Sequence, residues 1–246
     1  MIVEAIETEF VPVLVFNNRD EDSALMKEFN EPTWNNPVVR YLNADRKDVT
    51  KRQDGLWSVG DTAKKMIAAL KAEKRRVPAY LELVAAESNA KRKTATFAMH
   101  CFWEGEARLG RLDGVLNTRS GWRDELEVVE VEYDPTAIAY ESLVKTAQSM
   151  ECASKVFAHN ESQFQTAKKI TGDRAVKLEP NQKADDAKES DLLYYLRNSK
   201  MKDLPLTRLQ QVKVNAKLGI HEEPQDVLSP RQLKLFSNSS GKEKGK

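Results

Sequence analysis

Ala95-Thr96-Phe97-Ala98-Met99-His100-Cys101-Phe102-Trp103-Glu104-Gly105-Glu106 is the stretch on which the reading of this chain turns. A short apolar run with β-forming residues delivers one cysteine to the point where the pattern breaks into polar and small residues. That is how a strand hands a reactive group to a strand-to-helix turn. On its own, a cysteine at the end of an apolar strand is more often a small buried hydrophobe, so the run marks Cys101 as a candidate and no more.

Outward from Cys101 towards the C-terminus, Glu104 to Leu112 reads as a short helix, Gly114 to Gly121 as a turn and strand, and Leu126 to Tyr133 as a strand with partial polar and apolar alternation. Asp134-Pro135 stops that strand, and a helix from about Tyr140 to Met150 follows. The order is α+β, built around a small sheet. Further on, Ser190 to Ser199 reads as a helix. Thr207 caps another, with Leu209, Val212, Val214 and Leu218 as its apolar face and Gly219 as its end. Pro230 opens a last short helix to Phe236. Ser237 to Lys246 is Gly, Ser, Lys and Glu, which predicts a disordered tail.

Towards the N-terminus, Phe10 to Phe16 reads as a buried strand, Asp20 to Phe29 as a helix, Val38 to Leu42 as a strand after Asn36-Pro37, and Asp48 to Arg52 as a third strand beyond the Asn43 to Lys47 turn. Ser58 caps a helix from Val59 to Ala72 with Ala63, Met66, Ile67 and Leu70 on one face. That order is α/β. Lys74-Arg75-Arg76 and Lys91-Arg92-Lys93 flank a short helical piece from Tyr80 to Glu87. These readings divide the chain into a domain over residues 1–76, a linker over 77–93, a domain over 94–200, a helical extension over 201–236 and a tail over 237–246.

Composition narrows the function classes. The chain has 246 residues with 39 Lys plus Arg against 38 Asp plus Glu, a net charge of +1, so no global field argues for a nucleic-acid or membrane partner. Its apolar runs are too short to span a bilayer, and Met1-Ile2-Val3-Glu4 carries no basic export signal, so a cytoplasmic location is the default expectation. Two cysteines are no disulfide scaffold, and neither they nor the three scattered histidines have metal-ligand spacing. His100 adjoins the thiol in sequence, but neighbours in a strand point to opposite faces.

Three ordered blocks carry a resemblance. His100-Cys101-Phe102-Trp103-Glu104-Gly105-Glu106 is similar to the Gly-Cys-Phe-Trp signature of the peptide methionine sulfoxide reductase A family. Gly114-Val115-Leu116-Asn117-Thr118-Arg119-Ser120-Gly121-Trp122 resembles the Gly-Val-x-x-Thr-x-x-Gly-Tyr that follows it. Leu126 to Pro135 resembles the family's Ala-Glu-Val-Val-x-Val-x-Tyr-Asp-Pro block. The likeness covers about residues 94–200 and implies the family's fold there, with the C-terminal helices beyond it. Residues 8–73 are similar, in pattern only, to a thioredoxin-like fold, with Asn36-Pro37 where that fold carries a cis-proline. They contain no cysteine, so such a domain has no dithiol chemistry of its own.

The resemblance implies Cys101 as nucleophile and Glu127 as acid. A sulfoxide sulfur becomes electrophilic when its oxygen is protonated or hydrogen-bonded, so the reaction needs a thiolate and a nearby acid. Phe102 and Trp103 would wall the site, keep the acid protonated and hold the substrate's S-methyl group. Attack would leave a sulfenic acid on Cys101. Cys152, the other cysteine, offers the simplest internal route to a disulfide, later opened by an external thiol reductant such as thioredoxin. No bound cofactor is implied. The chain departs from the family where Met99-His100 replaces a glycine pair, where the loop after Trp122 is lost, and where Glu151 to Lys155 replaces a Gly-Thr-Gln-Tyr-Arg-Ser segment. The expected activity is thiol-dependent reduction of a methionine sulfoxide or a related oxidised sulfur compound. The alternatives are a non-catalytic redox-sensing or binding protein with a reactive cysteine, and a structural protein with both cysteines buried and inert.

Overall fold

In the computed structural model, which describes residues 1–34, 37–55, 58–179 and 182–242, the chain divides into two units, Met1–Asn89 and Ala90–Lys246. The first opens with α1 (Ile2–Glu9) and α2 (Ser23–Glu28), the latter preceded by a 3-10 turn over Asp20–Asp22. Two short strands, β1 (Val38–Val39) and β2 (Gln53–Asp54), pair antiparallel. Then come α3 (Val59–Ala72) and α4 (Ala79–Asn89). Ser58 caps α3 as its sequence predicts, accepting from the Asp61 N–H at 3.0 Å. Its Ala63, Met66, Ala69 and Leu70 bury against Tyr80, Leu81, Val84 and Ala85 of α4.

Three expectations for this unit are corrected. Phe10 to Phe16 forms no strand: Val11 is 90% exposed and Leu14 79%, and no neighbouring strand supplies a ladder. An apolar run becomes a strand only where a partner completes its backbone hydrogen bonds. Here Pro12 has no donor and the Phe16 N–H goes instead to the Asp22 carboxylate at 2.8 Å. The strands expected over Val38–Leu42 and Asp48–Arg52 shrink to β1 and β2 and an isolated Leu42–Asp48 bridge. The described residues therefore do not reproduce the element order of a thioredoxin-like fold, and Asn36 of the Asn36-Pro37 step lies outside them. Residues 77–89, read as linker, belong to the core of this unit, because the charge runs flank an apolar helical face rather than interrupt it.

The second unit is α+β. In chain order it holds β3 (Lys93–Ala98), α5 (Phe102–Gly110), β4 (Val115–Arg123), β5 (Leu126–Tyr133), α6 (Tyr140–Ser149), β6 (Lys155–Ala158), α7 (Glu161–Thr171), β7 (Ala175–Lys177), β8 (Asp185–Asp186), α8 (Tyr194–Arg197), α9 (Arg208–Gly219) and α10 (Pro230–Lys242). The strands form one sheet in the order β7-β6-β3-β5-β4-β8, antiparallel except for the parallel β6–β7 pair. Its core gathers Phe97, Val129, Val131 and Tyr133 from the sheet with Phe102 and Leu109 of α5 and Leu143 and Val144 of α6.

Thr207 and Gln210 form a reciprocal capping box at the start of α9. The helix expected over Ser190–Ser199 is shorter: a 3-10 turn over Glu189–Asp191, then Leu193 in the left-handed region at φ 48°, then the four residues of α8. The tail expected from Ser237 is helical as far as Lys242, because α10 carries its last turns past the apolar residues.

Candidate active site

β3, in the middle of the sheet, ends at Ala98 and the chain reaches α5 through Met99, His100 and Cys101. Cys101 is the N-cap residue of α5, extended at φ −136°, ψ 112°, and its thiol is half-exposed. Met99 turns into the core against Gly105, where the absence of a side chain leaves room for its thioether. His100, beyond the end of β3, is exposed.

Glu127 reaches this helix end from β5. Its carboxylate accepts the Phe102 N–H at 2.7 Å, one peptide unit from Cys101, and its carbonyl accepts the Met99 N–H at 3.0 Å. The β4–β5 hairpin sets that position. Asp124 and Glu125 both take positive φ, 49° and 62°, in a two-residue turn whose twist matches the strands. The turn fixes the register that places Glu127 opposite Trp122. Directly opposed residues share a face. The Trp122 ring meets Phe102 edge-on at 5.5 Å, so one pairing aims both the acid and an aromatic wall at α5.

Phe102 and Trp103 lie 6.0 Å apart, Phe102 buried and Trp103 half-buried. Trp103 stacks flat on Tyr194, centroids 4.1 Å apart and planes 15° apart. Tyr195 follows, its ring packed over Ala107 and Gly219. Burial raises the Tyr195 hydroxyl's pKa, and the charges of Cys101 and Glu104 raise it further. The sequence reading assigns neither tyrosine a role at the site.

Glu106 was missed as well. It is wholly buried on the core face of α5, and Oε2 accepts the Leu193 N–H at 2.8 Å. Burial pushes its carboxyl up to about 7, and the Leu193 N–H and the neighbouring Ser120 and Thr118 groups hold it back from going higher. Oε1 and the two hydroxyls reach no hydrogen bond of normal geometry, so their effect is one of proximity. Its four-residue spacing from Phe102 was the available signal: it puts a carboxyl on an apolar face.

Cys152 is buried in the same core, in the turn between α6 and β6. The β3–β6 ladder ends at Ala98 opposite Lys155; Cys101 follows that end by three residues on one chain segment and Cys152 precedes it by three on the other. Both cysteines are free thiols. Burial raises the Cys152 pKa, opposed first by Arg108, which also pairs with Glu104 at 3.1 Å and donates to the Met150 carbonyl at 2.7 Å. Among the described residues no cluster of His, Cys, Asp or Glu could hold a metal ion, and no helix is long and apolar enough to cross a membrane.

Comparison with known proteins bears on this arrangement. No family model matches the chain. It is 33% identical over 103 residues to a peptide methionine sulfoxide reductase of Drosophila melanogaster, an alignment covering 32% of this chain and 42% of that protein. It is 35% identical over 78 residues to peptide methionine sulfoxide reductase A5 of Arabidopsis thaliana, covering 26% and 31%. Against peptide methionine sulfoxide reductase MsrA 1 of a Nostoc species it is 27% identical over 119 residues, covering 35% and 73%. The chain is related to the peptide methionine sulfoxide reductases. It spans about two fifths of the length of the fly relative (42%) and less than a third of the Arabidopsis one (31%).

Proposed function

We propose that this protein reduces methionine sulfoxide, free or peptide-bound, at Cys101, with Glu127 as proton donor and Phe102, Trp103 and Trp122 as the apolar wall for the S-methyl group. The observation that carries the reading is the Glu127 carboxylate on the Phe102 N–H at 2.7 Å. A carboxyl held one residue from Cys101, with Phe102, Trp103 and Trp122 beside it, supports an acid and nucleophile pair. The Cys101 sulfur attacks the sulfoxide sulfur while the oxygen gains its proton. The oxygen passes to Cys101 as a sulfenic acid, and methionine leaves as the thioether. Cys152 then attacks that sulfur, expelling water and leaving a disulfide, which an external dithiol such as thioredoxin reduces. Both cysteines lie three residues beyond the same end of the β3–β6 ladder, which supports Cys152 in that role. No bound cofactor is required.

Burial of Cys152 favours a second reading, a redox sensor in which Cys101 is oxidised and not turned over. Single-turnover release of methionine from a blocked methionine sulfoxide by fully reduced protein separates the two. Reduction predicts a stoichiometric burst that Cys101→Ser abolishes and that Glu127→Gln slows by about 10²–10⁴-fold, the usual worth of a positioned acid. Loss of two thiols per burst identifies Cys152 as the resolving group. No burst while Cys101 still alkylates readily would sink the reductase in favour of the sensor.

A further inference from the structure

Glu106 binds the backbone of the turn that leads into Tyr194 and Tyr195. Leu193 sits at φ 48°, ψ 48°, a conformation costly for a branched side chain, and its N–H donates to Glu106 Oε2 at 2.8 Å. The two following residues are Tyr194, stacked on Trp103 at 4.1 Å, and Tyr195, edge-on to Tyr194 at 5.6 Å. A second tie holds the same turn from α9, where Asn215 Oδ1 accepts the Leu196 N–H at 3.0 Å. A wholly buried carboxyl with one oxygen unpartnered is an expensive way to build a helix face, and Leu at this position would pack without that cost.

We infer that Glu106 is a positioning residue for the Cys101 site: it holds the Leu193 turn in its left-handed conformation so that Tyr194 stays stacked on Trp103, two residues from the thiol. The inference rests on Cys101 being the reactive group, but not on its reducing a sulfoxide. Glu106 itself, below the buried side of α5, touches no substrate.

The test is Cys101 alkylation by iodoacetamide in the full-length protein, read peptide by peptide, together with the near-ultraviolet circular dichroism of the Trp103–Tyr194 stack. Glu106→Ala should raise the Cys101 rate about tenfold, equivalent to an opening cost lower by about 1.4 kcal/mol, and weaken the aromatic signal. Glu106→Gln retains an acceptor for the Leu193 N–H and should keep both near wild type. A folded Glu106→Ala with an unchanged rate and signal would overturn the inference, as would Gln behaving like Ala. If Glu106→Ala does not fold, Tyr194→Ala removes the stack with the strut intact and should give the same increase; no change there is equally fatal. Neither readout needs turnover, so a protein that fails to reduce sulfoxides can still confirm or refute the strut.

Discussion

Glu106 lies on the α5 face it shares with Phe102 and Leu109, and its carboxyl titrates near 7 in the fold against 4.5 ordinarily. Below the ordinary value both folded and unfolded chains carry the proton and the group adds no pH-dependent cost. Between the two values the folded chain holds a proton that the unfolded chain has released, so stability falls as pH rises, and above about 7 the full cost persists, on the order of 3 kcal/mol. Urea unfolding at pH 5 and pH 8 should therefore show wild type losing stability relative to Glu106→Gln, which has no proton to lose. Parallel slopes would mean that the carboxyl is not the source. Glu127 and Cys101 were named from motif blocks, whereas Glu106 was not, because a carboxyl in a helix reads as solvated until the packing of both faces is known.

At the scale of elements, the site depends on α5 lying close to α9. Gly219, the last residue of α9, allows that approach: a Cβ there would come within 2.5 Å of the Ala107 Cβ and 2.8 Å of the Tyr195 ring. Ala in a helix gains about 1 kcal/mol over Gly, but overpacking costs about 1–3 kcal/mol, so the steric effect wins. Gly219→Ala should lower the melting temperature and, by displacing Tyr195, speed Cys101 alkylation; a stabilised variant would show that the contact relaxes freely. The sequence marks Gly219 as a helix end, which it is, yet its packing role comes from a neighbour on α5 more than a hundred residues away. The β4–β5 hairpin is similar. Its strands are legible by alternation, but Asp124-Glu125 is no Asn-Gly, so the tight turn that places Glu127 opposite Trp122 carries no turn signature.

For the whole molecule, the division into two units, the first with a core around Met66, Leu70 and Leu81 and the second with one around Phe97, Val129 and Leu143, implies two cooperative units. Residues 1–89 contain no cysteine, so exposure of buried Cys152 reports on the second unit alone. Leu81→Ala removes a fully buried side chain from the first and should cost it about 2–5 kcal/mol. In a urea titration the helical signal should then acquire an earlier transition while the midpoint for Cys152 labelling stays put. A joint shift of both would mean that the units unfold as one.

The sequence by itself determined the helices with a cap and an apolar stripe, from Val59 to Ala72 and from Arg208 to Gly219, because caps and periodicity are local. It also determined the strand from Leu126 to Tyr133 and the order of elements from Cys101 to α6, which the motif blocks carry. Only tertiary structure decided that Phe10 to Phe16 stays unpaired, that residues 77–89 contribute to a core, that Glu127 meets the Phe102 N–H, and that Tyr194 stacks on Trp103 after a turn whose Leu193 N–H goes to Glu106. A strand needs a partner and a buried acid needs a donor, and both are supplied by residues distant in the chain, which no local pattern encodes.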